Sequence, residues 1–243
     1  EIKLSKLFVV GIGPGGAEYM SAQAAEALKQ SEIIVGYSGY IEYIKPFIKG
    51  KEVFQTGMTG EIERCKYAVS KVKEGKIVSI ISTGDAGLYG MAGPILELAP
   101  DLNVEIIPGI SAAFAAASRL GAPLMHDTAL ISLSDRLTDY EVIKKRIKAA
   151  AEGDFVIALY NPKSKTRSGY IEEAVNIILK FRDPKTPVGI VKNACRNNEK
   201  IIITELQKIN YDEIDMFSLI IIGNSNTYIQ NGKIITPRGY KIK

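Results

Sequence analysis

Two glycine-rich segments, each placed directly after a short apolar run, constrain this chain more than any other feature. The first, Gly11-Ile12-Gly13-Pro14-Gly15-Gly16, follows Leu7-Phe8-Val9-Val10. The second, Ser82-Thr83-Gly84-Asp85-Ala86-Gly87-Leu88-Tyr89-Gly90-Met91-Ala92-Gly93, follows Ile77-Val78-Ser79-Ile80-Ile81. An apolar run of that length reads as a buried strand. Glycine at its exit permits a tight turn and a close approach of backbone to another group. Ligands of open α/β sheets bind beyond the carboxyl ends of the strands. Two such exits predict one cleft built around a small molecule, and an enzyme.

Strand, loop and helix alternate through the first half. Ser21 is placed to cap a helix through Gln30, and Ile33 to Val35 reads as a strand. A helix is expected over Tyr40 to Phe47 and another over Glu61 to Glu74, closed by Gly75. Val104 to Ile107 is a strand stopped by Pro108-Gly109, and Ser111 precedes a helix of small residues, Ala112 to Leu120. Gly121-Ala122-Pro123 reads as a hinge, which puts one domain at 1–122 and a second at 123–243. In the second, Ala129 to Leu133 and Phe155 to Leu159 are strands. Thr138-Asp139-Tyr140-Glu141 has the capping-box pattern for a helix through Ala151, and Tyr170 to Phe181 is a helix. Val188 to Val191, Ile201 to Thr204 and Leu219 to Ile222 are strands, and Asn231-Gly232 marks a hairpin. The expected fold class is therefore α/β in two domains, with a mostly parallel sheet first and a mixed sheet second.

The bulk numbers narrow the function. With 243 residues and 46% hydrophobic content, the chain can bury a sizeable core. No apolar run approaches the ~18 residues of a membrane span. The charged start, Glu1 to Lys6, has no secretory pattern, so a cytoplasmic protein is expected. Cys65 and Cys195 are far apart and the chain has one histidine, which argues against a disulfide framework and a zinc site. A net charge of +4, spread along the chain without interleaved aromatics, gives no nucleic-acid stripe.

Gly11, Gly13 and Gly16 match the G-x-G-x-x-G spacing, but the dinucleotide reading also needs an acid after the second strand. That strand runs into Gly36-Tyr37-Ser38, and Pro14 removes a backbone donor from the loop. A nicotinamide-dependent reductase is thereby weakened. The second loop gathers four glycines around Asp85 and Tyr89, more than a turn alone requires.

Taken together, Val10 to Gly15, Gly84 to Gly90, Pro108-Gly109-Ile110-Ser111-Ala112 and the hinge occur in the order found in tetrapyrrole methyltransferases, which use S-adenosylmethionine. The chain resembles that family nearly end to end. Tyr89 to Gly93, His126-Asp127, Ile131 to Asp135, Leu159 to Arg167, Val191 to Ala194 and Thr236 to Tyr240 are most similar to the branch that methylates C-17 of precorrin-3B or its cobalt form. Ala86 departs from the family's usual proline, and Cys195 stands where this branch often has glycine.

The resemblance implies S-adenosylmethionine folded in a trough between two domains. Its contacts would come from Pro14, Gly84, Asp85, Ala86, Leu88, Tyr89, Ser111, Ala112, Tyr160, Asn161, Asn193, Ala194, Thr236 and Pro237. It implies an anionic tetrapyrrole substrate, precorrin-3B or cobalt-precorrin-3, and a homodimer. Methyl transfer from a sulfonium to a carbon that becomes quaternary needs alignment in a dry cleft more than a protein nucleophile. The ring contraction linked to this branch would use a general acid or base, for which His126, Asp127 and Asp85 are the candidates. His126 reads equally as a surface residue. Asp135 with Arg136 reads equally as a strand-end ion pair, and Lys163, Lys165 and Arg167 as a solvated cluster or as partners of substrate carboxylates. A methyltransferase acting on RNA or a modified protein residue, and a tetrapyrrole-binding module without catalysis, remain the alternatives.

Overall fold

The computed structural model describes residues 4–242, so the part of the charged start at residues 1–3 lies outside the described residues. The chain divides into two compact units, one up to Ala112 and one from Ala113.

The first unit contains β1 (Lys6–Gly11), α1 (Ala22–Gln30), β2 (Ile33–Tyr37), α2 (Ser38–Ile41), β3 (Glu52–Thr56), α3 (Glu61–Lys73), β4 (Ile77–Ser82), α4 (Ala92–Leu98) and β5 (Val104–Ile107). All five strands are parallel, in the order β3-β2-β4-β1-β5. Successive residues of β1 serve opposite faces. Leu7 and Val9 join Cys65, Ala68 and Ile95 of α3 and α4, whereas Phe8 and Val10 join Ala24, Ala27 and Leu28 of α1. Coverage on both faces explains why the strands read as unbroken apolar runs. Ser21 accepts from Ala24 N at 3.0 Å and caps α1 as expected.

One expectation changes, and one strand is new. Tyr40 to Phe47 is not one helix: α2 stops at Ile41 and a 3₁₀ segment, Glu42–Phe47, continues with Pro46 inside it. Proline has no N–H for an α-helical ladder, which tightens the chain into the shorter turn. β3 has no strong sequence signal, because Glu52-Val53-Phe54-Gln55-Thr56 is short and polar at both ends. It is an edge strand held by pairing with β2.

The second unit contains α5, which runs from Ala112 to Leu120, then β6 (Gly121–Ala122), β7 (Thr128–Ser132), α6 (Tyr140–Glu152), β8 (Val156–Tyr160), α7 (Tyr170–Leu179), β9 (Pro187–Lys192), β10 (Lys200–Glu205), β11 (Ser218–Ile222), β12 (Tyr228–Gln230) and β13 (Lys233–Ile235). Five strands form a mixed sheet, β10-β9-β11-β8-β7, in which only β7 and β8 pair in parallel. Its core joins Ile157, Leu159, Val188, Ile190 and Ile220 to Ile143, Ile147, Val175 and Ile178 of α6 and α7. The hairpin at Asn231-Gly232 forms as expected, with φ of 50° and 70°.

Gly121-Ala122 is not a free hinge. It pairs in parallel with Ile234 and Ile235 as an edge of a small sheet, β12-β13-β6. The helix before it also belongs with the second sheet, since Leu120 lies directly over Gly189. The division of compactness therefore falls at the first residue of α5, between Ala112 and Ala113, whereas glycine and proline content points to 122. At α6, Asp139 is the N-cap and accepts from Glu141 N at 2.9 Å, in place of the Thr138 capping box. α7 ends at Leu179, short of Phe181.

Cys65 is fully buried on α3. Burial pushes its thiol up to about 11, outweighing the opposing pull of Arg64, while Glu61 adds to the rise. The folded value lies above the unfolded one of 9.0, so the fold's preference for the neutral thiol costs nothing below pH 9. Stability falls as pH rises from 9 to about 11. The expected result is that iodoacetamide at pH 8 labels Cys195 in the native protein and Cys65 only after denaturation. The denaturation midpoint should fall less steeply above pH 9 in Cys65→Ala than in the parent.

Candidate functional site

The two glycine segments meet at one place. From β1 the chain crosses by α1 on one face to β2. From β4 it crosses by α4 on the other face to β5. β1 and β4 are neighbours, so the connections diverge between them, and this is the switch point at which open α/β sheets bind ligands.

Three loops lock together there through backbone. Gly13 and Gly84 form an antiparallel bridge, with Gly84 N donating to Gly13 O at 2.8 Å and Gly13 N to Gly84 O at 3.1 Å. Gly109, just after β5, packs so tightly that a β-carbon on it would lie 2.1 Å from Gly84 O. A β-carbon on Gly11 would lie 2.8 Å from both Gly109 N and Gly84 O. Gly11, Gly13, Gly84 and Gly109 thus serve loop-to-loop packing.

Asp85 secures the same junction. Its Oδ1 accepts from Gly109 N and its Oδ2 from Gly87 N, each at 2.9 Å. Each oxygen keeps a further lone pair. Asp85→Asn would turn one oxygen into a donor facing a backbone N–H and is expected to cost about 1–3 kcal/mol, measured by urea unfolding.

The junction brings together Pro14, Gly84, Asp85, Ala86 and Ser111. Pro14, Gly84 and Ala86 are buried, as is Ser111 at 4% exposure. Ala112 N lies 3.6 Å from the β-carbon position of Gly84. Leu88 is half-buried, and Tyr89 is exposed with φ of +55°. A bulky aromatic in the left-handed region is a strained placement of the kind that collects at functional sites.

In the second unit, β7, β8 and β9 run the same way, so their carboxyl ends share an edge. Tyr160 ends β8, and its hydroxyl accepts from Ala113 N at 3.0 Å. Asn161 follows at φ 50° and donates through Nδ2 to Ser132 Oγ at 2.9 Å. Asn193 follows β9 at φ 49° and is buried, with Ala194 next to it. Thr236 and Pro237 follow β13, at the base of the hairpin. Thr236 is fully buried, donates its N–H to Ala122 O at 3.0 Å and shares a 2.7 Å hydroxyl contact with Thr227.

His126 and Asp127 are not brought to the Tyr160 edge. They precede β7, and Asp127 O accepts from Val156 N at the start of β8. The length of β8, roughly 13 Å of strand, separates them from Tyr160. His126 is exposed, with Nδ1 accepting from Asp127 N at 2.9 Å. Asp135 pairs with Arg167 at 3.6 Å and accepts from the Tyr170 hydroxyl at 2.7 Å. Arg167 also donates to the carbonyls of Leu133 and Asn161, and Lys163 to that of Tyr211. Arg167 and Lys163 therefore brace their own loop, while Lys165 stays exposed.

Periodicity does not single out Arg64, yet it is buried at 5% exposure while Ile62 beside it is exposed. The available signal is its i, i+4, i+8 alignment with Ala68 and Val72 on the inward face of α3. Among the described residues, no group of three or more His, Cys, Asp or Glu side chains could hold a metal ion.

The description Tetrapyrrole (Corrin/Porphyrin) Methylases matches residues 6–210. The chain is 50% identical over 240 residues to the probable cobalt-factor III C(17)-methyltransferase of Salmonella typhimurium, covering 97% of this chain and all of that protein. It is 47% identical to the cobalt-factor III methyltransferase of Priestia megaterium, covering 98% of this chain and 46% of that longer protein. Among solved structures, the methyltransferase CobJ superposes with a TM-score of 0.91 at 32% identity, covering 96% of this chain and all of that one. A uroporphyrin-III C-methyl transferase from Thermus thermophilus, complexed with S-adenyl homocysteine, shares the fold at a TM-score of 0.71 and 21% identity, covering 90% of this chain and 97% of that one. The ordered glycine loops, the two sheets and these matches lead to one conclusion: the chain belongs to the tetrapyrrole methylases.

Proposed function

We propose that this protein is an S-adenosylmethionine-dependent C-methyltransferase that methylates C-17 of a cobalt-containing precorrin, with contraction of the macrocycle, in cobalamin biosynthesis. The observation that carries the reading is 50% identity along the whole of a protein named for that position and that metal. The cobalt form is preferred because the relatives at 47–50% identity are named for cobalt-factor III.

The first unit fits the proposed methyl donor by its chemistry. Small residues at Gly84, Ala86 and Ser111 allow close approach of backbone, and the lone pairs left on Asp85 can accept from an amine or a hydroxyl. The proposed contacts are those named from the resemblance. Asp85 acts among them as a positioning residue, because its two backbone hydrogen bonds hold the β4 and β5 loops in one shape. S-adenosylmethionine, when bound, supplies an electrophilic methyl group on a sulfonium. The chain's own task is to orient that donor and the acceptor carbon and to exclude water, which supplies roughly 7–11 kcal/mol of a barrier when alignment is complete. For ring contraction, His126, Asp127 and Asp85 remain the acid–base candidates. Comparing the pH profile of contraction with that of methyl transfer in His126→Asn and Asp127→Asn tests the first two. We further propose a homodimer acting in the cytoplasm.

The deciding experiment is anaerobic incubation with S-adenosylmethionine and cobalt-factor III, followed by mass spectrometry and NMR. One added methyl at C-17 with a contracted ring is the expected product. Binding of the donor without turnover of that substrate would overturn the C-17 assignment.

A further inference from the structure

The first unit contains a second feature, on the far side of the Ser82–Gly93 loop, which lends it Thr83 and Tyr89. A cavity of about 150 Å³ opens at the carboxyl ends of β2, β3 and β4, lined by Tyr37, Met58, Glu61, Arg64, Thr83 and Tyr89. It lies below the roughly 300 Å³ at which pockets begin to enclose a whole ligand, so it has room for a side group and not for a macrocycle.

Arg64 is the unusual member. It is 5% exposed, and both of its hydrogen bonds fall on Nη1, to Thr56 Oγ1 at 2.7 Å and Gly57 O at 3.0 Å. Its Nε has no partner. A buried donor left unpaired is costly, and a guanidinium is anchored here by one nitrogen with its fork unused. The Nε–Nη2 edge is the face that pairs side-on with a carboxylate through two parallel hydrogen bonds. Glu61 lines the same cavity but has a partner of its own. Tyr37 and Tyr40 pack edge to face at 4.7 Å and stiffen one wall.

We propose that this cavity is a carboxylate-binding subsite, in which Arg64 takes one peripheral acetate or propionate group of the tetrapyrrole. The assignment rests on the substrate class proposed above. It gives Arg64 a role in fixing the rotational setting of the macrocycle, because one side group held in a small cavity selects one edge of the ring.

The test uses the full chain and two titrations. S-adenosylhomocysteine binding is followed by calorimetry, and cobalt-factor III binding by absorbance under anaerobic conditions. Arg64→Met removes the fork. Met58→Glu is the second variant: Met58 is 47% exposed, so the change spares the core while placing a carboxylate in the cavity to occupy Arg64. Ile62→Glu adds the same charge on α3 outside the cavity. The expected result is a loss of macrocycle affinity of about ten- to a hundredfold in Arg64→Met and Met58→Glu, with none in Ile62→Glu and no change for S-adenosylhomocysteine. Arg64→Lys, which keeps the charge but not the fork, should recover only part. Folded Met58→Glu that binds the macrocycle like the parent would overturn the subsite and leave the proposed reaction standing. A parent protein that binds S-adenosylhomocysteine but no macrocycle would overturn the substrate reading, and the subsite with it.

Discussion

Gly109→Ala is expected to lose about 3 kcal/mol of stability or more, which is severe for one methyl group. The added carbon would sit 2.1 Å from Gly84 O and 2.8 Å from Gly11 O. Both neighbours are backbone, and both belong to loops already pinned by the Gly13–Gly84 bridge, so neither can rotate away as a side chain would. Relief requires moving the β5 loop, which breaks the 2.9 Å bond from Gly109 N to Asp85. Gly57→Ala is the matched control, since nothing lies within 4 Å of its β-carbon position, and it should stay within about 0.5 kcal/mol of the parent. Urea denaturation of both variants checks the pair. Equal midpoints would show that the junction is looser than its geometry. Donor binding should fall with Gly109→Ala even where the protein stays folded, because three loops shift together.

The second large effect is expected at Arg182, which follows α7 and is 5% exposed. Its guanidinium joins the turn between α6 and β8 to the residue that follows β11. Nη1 donates to Gly223 O after β11, and Nη2 to Phe155 O at 2.5 Å and Ala150 O at 3.4 Å near the end of α6. Asp154 stands 3.5 Å from Nε. Burial lowers the guanidinium's affinity for its proton, and Asp154 partly offsets that. Arg182→Met would keep the volume but leave carbonyls unpaired and Asp154 without its counter-charge. A loss of about 3–5 kcal/mol is expected, read from the thermal or urea midpoint. Arg182→Lys should recover little, because an ammonium cannot span carbonyls arranged for a planar fork. A variant as stable as the parent would show that the carbonyls find water instead.

The two arginines differ in a way that local sequence does not display. Both are buried cations next to apolar helix positions, and both leave Nε without a hydrogen bond. At Arg182, surrounding carbonyls use both terminal nitrogens; at Arg64 only Nη1 is used, and the residue lines a cavity. Likewise Lys163, Lys165 and Arg167 form one cluster along the chain, yet only Lys165 stays exposed. Side-chain partners come from strands and helices far away in sequence, and no spacing rule reports them.

Sequence alone determined the elements that depend on local chemistry. The apolar runs of β1 and β4, the Ser21 cap and the Asn231-Gly232 turn follow from solvent exclusion, hydrogen-bond satisfaction and left-handed backbone over a few residues. Their order was enough to place the α/β class and the family. Tertiary structure alone decided what those pieces do to one another. It showed that Gly11, Gly84 and Gly109 are small because three backbones cross there, and that Asp85 joins two loops. It tied Gly121-Ala122 to β13 in place of a hinge, and it set His126 and Asp127 a strand's length from Tyr160. The reason is physical: a strand's exit can be read from its own residues, but which exits become neighbours depends on strand order, and that order is settled only when both faces of the sheet are covered.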